Sequence, residues 1–181
     1  SGLSVAEVLK ALQEAGLQSI PGGGAEILSD RVRQELCPNK ATASEWLEVQ
    51  RTAHKMGIRS NASMLYGHIE TLEERVDHLL SLRALQDETG GFQTFICFPF
   101  HPGNTELEAT HQRTSLWDEL KTMAISRLML DNFSNIKAYW VMLTLPIAQL
   151  ALGFWANDID GTVSEEKIMH AAGAKSDTFL T

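Results

Sequence analysis

The chain has 181 residues, of which 44% are hydrophobic, enough for a buried core in one domain. Lys and Arg total 15 against 23 Asp and Glu, a formal net charge of −8, and the charges are interspersed rather than clustered, which argues against a nucleic-acid surface. Two cysteines, Cys37 and Cys97, form neither a disulfide framework nor a thiolate metal motif, so the reducing cytoplasm is the simplest expectation.

In chain order, Ser4 and Glu7 have the spacing of a capping box, and Val5, Val8, Leu9 and Leu12 follow at helical period until Gly16. The short apolar run Leu17 to Ile20 reads as a strand. Directly after it stand Pro21, Gly22, Gly23, Gly24, Ala25 and Glu26. Glycines at a strand end let backbone amides approach a ligand in conformations that side chains forbid, and Glu26 offers an acceptor for a cationic group. A plain tight turn fits the same glycines, and their spacing matches neither a phosphate loop nor a dinucleotide fingerprint. Arg31 and Arg33 follow; they suit either a grip on a carboxylate or a solvated helix face.

Thr42 and Glu45 open a second helix, which runs through Trp46, Leu47, Val49, Ala53 and Met56 to Gly57. Ile58 to Leu65 reads as a strand, followed by Tyr66, Gly67, His68 and Glu70; Asn61 and Ser63 lie within it. His68 and Glu70 together suit orienting a carboxylate or moving a proton, and equally a rim histidine satisfied by backbone beside a solvated acid. Thr71 and Glu74 start a third helix. The aromatic strand Phe92 to Phe98 leads to His101, Pro102, Gly103 and Asn104, polar residues beside an apolar wall that suit either a small-molecule pocket or a shaped turn. Ser115 and Asp118 open a fourth helix, Ile136 to Leu143 reads as a strand in which Tyr139 and Trp140 pack, and Asp158 to Val163 as a last one. The apolar run 138–156 is broken by Pro146 and Gln149, against a membrane-spanning helix.

Alternating helices and strands of this kind predict an α/β fold with parallel strands and helical crossovers, in one domain over 1–181. In a barrel, the polar clusters after each strand converge on the C-terminal rim. About five strands fall short of the roughly eight of a closed barrel, so the expectation is the C-terminal part of a TIM-type (β/α) barrel.

Particular strings carry a resemblance. Ser19 to Glu26 (SIPGGGAE), Asn61 to Glu70 (NASMLYGHIE), Leu85 to Phe92 (LQDETGGF), Phe100 to Leu107 (FHPGNTEL) and Ser126 to Asn132 (SRLMLDN) together resemble one radical S-adenosylmethionine group. It contains the aminofutalosine synthases and dehypoxanthine futalosine cyclases of the futalosine route to menaquinone, and the tyrosine-using subunit of deazaflavin synthesis. Leu65 to Glu70, Ile136 to Leu143 and Asp158 to Val163 look most like the synthase.

The resemblance implies a transferase using S-adenosylmethionine and a [4Fe-4S] cluster, with a 5′-deoxyadenosyl radical adding to 3-[(1-carboxyvinyl)oxy]benzoate. It would place Gly22, Gly23, Gly24, Glu26 and Arg33 on the S-adenosylmethionine side, Asn61, Tyr66, His101 and Asn104 toward the aromatic substrate, and His68 and Glu70 as the acid and base pair. A cyclase-like enzyme and a non-catalytic barrel remnant are the alternatives. The chain lacks the family's Cys-x-x-x-Cys-x-x-Cys cluster motif, so the expectation is a fragment inactive alone whose partners are a small-molecule substrate and either the missing N-terminal half or a second copy, with no nucleic acid and no membrane. Thr144-Leu145-Pro146 stands where the group usually has Gly-Pro-Lys, Cys97 where proline is common and Trp155 where glycine is common; Lys175 to Thr181 look unlike the group.

Overall fold

A computed structural model describes residues 2–109, 111, 113–163, 166–174 and 176; most of the divergent 175–181 stretch lies outside the described residues. In chain order the elements are α1 (Val5–Glu14), β1 (Ser19–Ile20), α2 (Asp30–Leu36), α3 (Ala43–Lys55), β2 (Arg59–Tyr66), α4 (Leu72–Thr89), β3 (Phe92–Pro99), α5 (Leu116–Met129), β4 (Asn135–Ala138), α6 (Trp140–Leu143), α7 (Leu145–Leu152), β5 (Asp158–Ile159) and α8 (Ile168–Ala171).

All four strand pairings are parallel, and the order in the sheet is the order in the chain, β1-β2-β3-β4-β5. Each crossover is helical, and successive helices touch along one face, as in an arc of a (β/α) barrel. The sheet is not closed: β1 and β5 are its edges.

Strand period two sorts the residues between faces. Ala62, Met64 and Tyr66 of β2, Phe95 and Cys97 of β3 and Ile136 and Ala138 of β4 are fully buried and form the core with Leu79, Leu82 and Met123 of the helices. Asn61, Ser63 and Leu65, then Ile96, Phe98, Lys137 and Asp158, point to the opposite face, the interior side of the arc. One extra residue on β3 between Phe92 and Phe95 shifts the register there. Phe92 thereby stacks on Phe133 at 5.2 Å and lies 6.4 Å from Trp46.

The predicted capping boxes at Ser4, Thr42 and Thr71 are formed, each hydroxyl accepting from the third amide while the glutamate accepts from the cap amide. Ser115 caps α5 by its hydroxyl. Two strand expectations need correction: β5 ends at Ile159 rather than running on to Val163, and Ile136 to Leu143 is not a single strand. β4 ends at Ala138, and Trp140–Leu143 form one helical turn with all four side chains buried. A continuous apolar run has no period, so it marks burial without choosing between strand and helix. The apolar run 138–156 is thus divided between α6, α7 and the turn after them, and among the described residues no helix is long and apolar enough to cross a membrane.

Candidate functional site

The C-terminal ends of the strands form a rim, and the loop after β1 is its most constrained part. Gly22 lies at φ +67°, and a Cβ there would sit 1.7 Å from the Asn61 carbonyl oxygen. This glycine therefore serves the close approach of the loop to β2. Arg33 is buried, and its guanidinium donates to the carbonyls of Gly24 at 3.2 Å, of Ala41 at 2.7 Å and of Ala25. Trp46 Nε1 donates to the Gly23 carbonyl at 3.1 Å, and the Leu65 amide to the Glu26 carbonyl at 2.7 Å. Held from several sides, Glu26 takes φ +45°, unusual for a residue with a side chain, and its carboxylate pairs with Lys40 at 2.5 Å.

Two cavities open on this loop. One, of about 440 Å³, lies on the interior face and is lined by Gly23, Gly24, Glu26, Ser63, Leu65, Phe98, Tyr139, Met142, and by Glu166 before α8 with Ile168 and Met169 within it. The other, of about 520 Å³, lies between α2 and the loop after β3. Glu26 and Leu65 line both. The first has a mostly apolar wall, with Tyr139 packed edge-on to Phe98 at 5.5 Å, and a few polar side chains, Glu26, Ser63 and Glu166, the usual composition of a small-molecule site.

The expected site residues divide sharply. Gly23, Gly24 and Glu26 line the interior cavity. Arg33 lines the second cavity but spends its donors on backbone carbonyls, so it shapes the loop. Arg31 pairs with Glu74 at 2.7 Å.

Glu70 accepts from the Gly67 amide at 2.6 Å, the His68 amide at 2.9 Å and Arg75 Nε at 2.7 Å, with His68 Nδ1 at 2.9 Å. Burial opposes its charge, but these donors outweigh burial and hold its pKa down to about 2. His68 Nε2 reaches the Leu65 carbonyl at 3.0 Å. The pair is an internal clasp for the β2–α4 turn, and neither side chain lines the interior cavity.

His101 Nε2 holds the Met142 carbonyl at 3.0 Å, and burial pushes its pKa down. Asn104, at φ +57°, donates to the Ala171 carbonyl at 2.8 Å and so ties α8 over the rim. Tyr66 was expected beside Asn61 but lies on the opposite, helix-facing side of β2, with Arg75 4.9 Å from its ring centroid. Strand alternation decides this: positions 61 and 66 differ by an odd number.

Sequence reasoning did not single out Lys40, nor Leu65 and Met142 of the cavity wall; it placed Phe98 in an apolar wall and Tyr139 as a packed strand residue. It also missed Lys137, which bridges Asp160 at 2.8 Å and Asp158 at 3.5 Å across β4 and β5 on the interior face. The polar alternation of Lys137 between Ile136 and Ala138 was the available signal.

An iron–sulfur cluster does not fit the residues present. Among the described residues no group of three or more His, Cys, Asp or Glu could hold a metal. Burial pushes the Cys97 thiol up to about 12, which removes it as a thiolate ligand, and Cys37 stands alone at the second cavity.

Arc topology, helices on one face and a cavity at the strand C-termini are compatible with part of a (β/α) barrel. Residues 89–180 match the family described as CofH/MqnC C-terminal region, and the chain belongs to that family. It is 52% identical over 178 residues to aminodeoxyfutalosine synthase of Thermus thermophilus, covering 97% of this chain and 48% of that one. It is 45% identical over 181 residues to the 5-amino-6-(D-ribitylamino)uracil--L-tyrosine 4-hydroxyphenyl transferase of Archaeoglobus fulgidus, covering 99% and 53%, and 44% identical to that of Methanococcoides burtonii, covering 97% and 51%. The chain thus spans about half the length of the curated relatives it matches.

Proposed function

We propose that this chain supplies the substrate-side half of a radical S-adenosylmethionine transferase of the aminodeoxyfutalosine synthase type. The observation that carries the reading is the 52% identity to such a synthase over 97% of the chain, above the 45% to the tyrosine transferase. The chemistry is transfer of the 5′-deoxyadenosyl group of S-adenosylmethionine to 3-[(1-carboxyvinyl)oxy]benzoate, and its cluster ligands must come from outside these residues.

Within that assignment, Gly23 and Gly24 let the backbone approach the S-adenosylmethionine side, and Glu26 accepts from its ammonium or hydroxyl groups. Leu65, Phe98, Tyr139 and Met142 exclude water and flank an aromatic ring. The cavity lining supports this reading because it combines the acids Glu26 and Glu166 with an apolar wall.

Calorimetric titration of the chain with S-adenosylmethionine tests the assignment of the loop. We expect measurable binding that weakens about tenfold in Glu26→Gln, the scale of one charge-assisted hydrogen bond. Binding unchanged in that variant would remove Glu26 from the site. The tyrosine transferase is the second reading, favoured by its similar identity across the same residues.

A further inference from the structure

The exposed large apolar side chains fall into three groups. Leu3, Val5, Val8 and Leu12 belong to the α1 end of the sheet, and Leu150, Leu152 and Trp155 to the β5 end, while Ile168 lines the interior cavity. Both groups neighbour open sheet edges, where further strands of a barrel would continue. The third group does not. Leu72, Val76 and Leu80 on α4, with Trp117, Ile125 and Leu128 on α5, lie over β2 and β3 in the middle of the sheet, where edge completion does not reach.

On α4 these apolar residues recur every four positions, a stripe that adjoins the side buried through His78, Leu79, Leu82 and Leu85. Leu72 is 68% exposed and Leu128 77%. Between the two stripes runs a groove with a cavity of about 360 Å³, floored by Met64 and Leu79 and crossed by the Arg75–Asp118 ion pair at 3.1 Å. An apolar stripe left exposed beside an already buried face is ordinarily covered by a partner.

Charge selects the cover. The exposed acids Glu73 and Asp77 flank the α4 stripe, whereas Lys121 is exposed within the α5 stripe. A second copy related by a two-fold axis along the groove places its α4 over this α5 and brings opposite charges together twice. The alternative two-fold, α4 upon α4, would oppose Glu73 and Asp77 to their own copies. We propose that the α4–α5 groove is a homodimer interface in which α4 of each copy lies on α5 of the other.

Sedimentation velocity of the 181-residue chain, with disulfide trapping of a Val76→Cys and Ile125→Cys pair placed on separate copies, tests this. The expected result is a dimer, a cross-link between those two positions, and at least tenfold weaker association in Lys121→Glu, with recovery in Lys121→Glu combined with Asp77→Lys. Leu128→Lys, at a site with little buried surface, gives a second disrupting variant that leaves folding intact by circular dichroism. A monomer at all concentrations overturns the proposal. So does a dimer that ignores Lys121→Glu and Leu128→Lys, which would place association at the sheet edges or through α1.

Discussion

Thr144 carries the clearest strain in the molecule. It lies at φ +82° and ψ 152°, a region tolerated by glycine and costly by roughly 1–3 kcal/mol for other residues. Trp155, at φ +74°, is a second bulky residue in a left-handed conformation. Thr144→Gly is therefore expected to stabilise the chain by about 1 kcal/mol, less the entropy glycine restores to the unfolded state, as a raised urea midpoint. Gly22→Ala goes the other way. Its Cβ would meet the Asn61 carbonyl, and a loss of about 3 kcal/mol or more is expected. Tyr66 separates structure from function: its hydroxyl is buried without a partner, so Tyr66→Phe should be neutral or stabilising by up to about 1 kcal/mol and leave S-adenosylmethionine affinity unchanged.

Acid sensitivity also has residue-level causes. Burial pushes the His78 pKa down to about 3, whereas an unfolded histidine titrates near 6.5. The unfolded chain takes up the proton first, so this contribution to stability is intact above about 6.5 and falls as pH drops toward 3. Glu70 and Glu74, both held near 2, add a loss that begins below the ordinary carboxylate value of 4.5. The urea midpoint should therefore decline steadily from pH 7 to pH 3, and a flat profile would contradict the burial of His78.

At the scale of elements, the sequence was most readable where local chemistry acts alone. Capping pairs three residues apart satisfy amides without tertiary help, which is why the starts of α1, α3 and α4 were legible at Ser4, Thr42 and Thr71. Thr71→Ala should cost about 1 kcal/mol, measured by denaturant midpoint, because α4 then begins with an orphan amide. β4 was overextended because Trp140 to Leu143 is apolar throughout and its helical turn is set by tertiary partners. Those partners are His101 and Arg113 on the Met142 carbonyl and the Trp140 indole on the Gly161 carbonyl. The loop residues were legible as a cluster but not by role. Gly22, Arg33, His68 and His101 hold backbone to backbone, and polarity at a strand end does not distinguish a ligand contact from a turn clasp.

For the whole molecule, alternation of helix and strand gave the parallel arc, because each crossover requires its helix. Chain-order strand adjacency follows from the same rule. What remained hidden was which face each helix leaves bare, since the second apolar stripes of α4 and α5 concern surfaces rather than folding. The arc leaves β1 and β5 as its edges, and the rim cavity draws its lining from the loop after β1, from β2 and β3, and from the residues around α6 and α8.

The most direct measurement is turnover by a chimera that joins the first half of the Thermus thermophilus synthase to residues 1–181, reconstituted with iron and sulfide under anaerobic conditions. With S-adenosylmethionine and 3-[(1-carboxyvinyl)oxy]benzoate, consumption of both and a product of the mass of aminodeoxyfutalosine is the predicted result. Turnover of tyrosine with 5-amino-6-(D-ribitylamino)uracil instead, or a folded chimera inert toward the benzoate, would contradict the assignment.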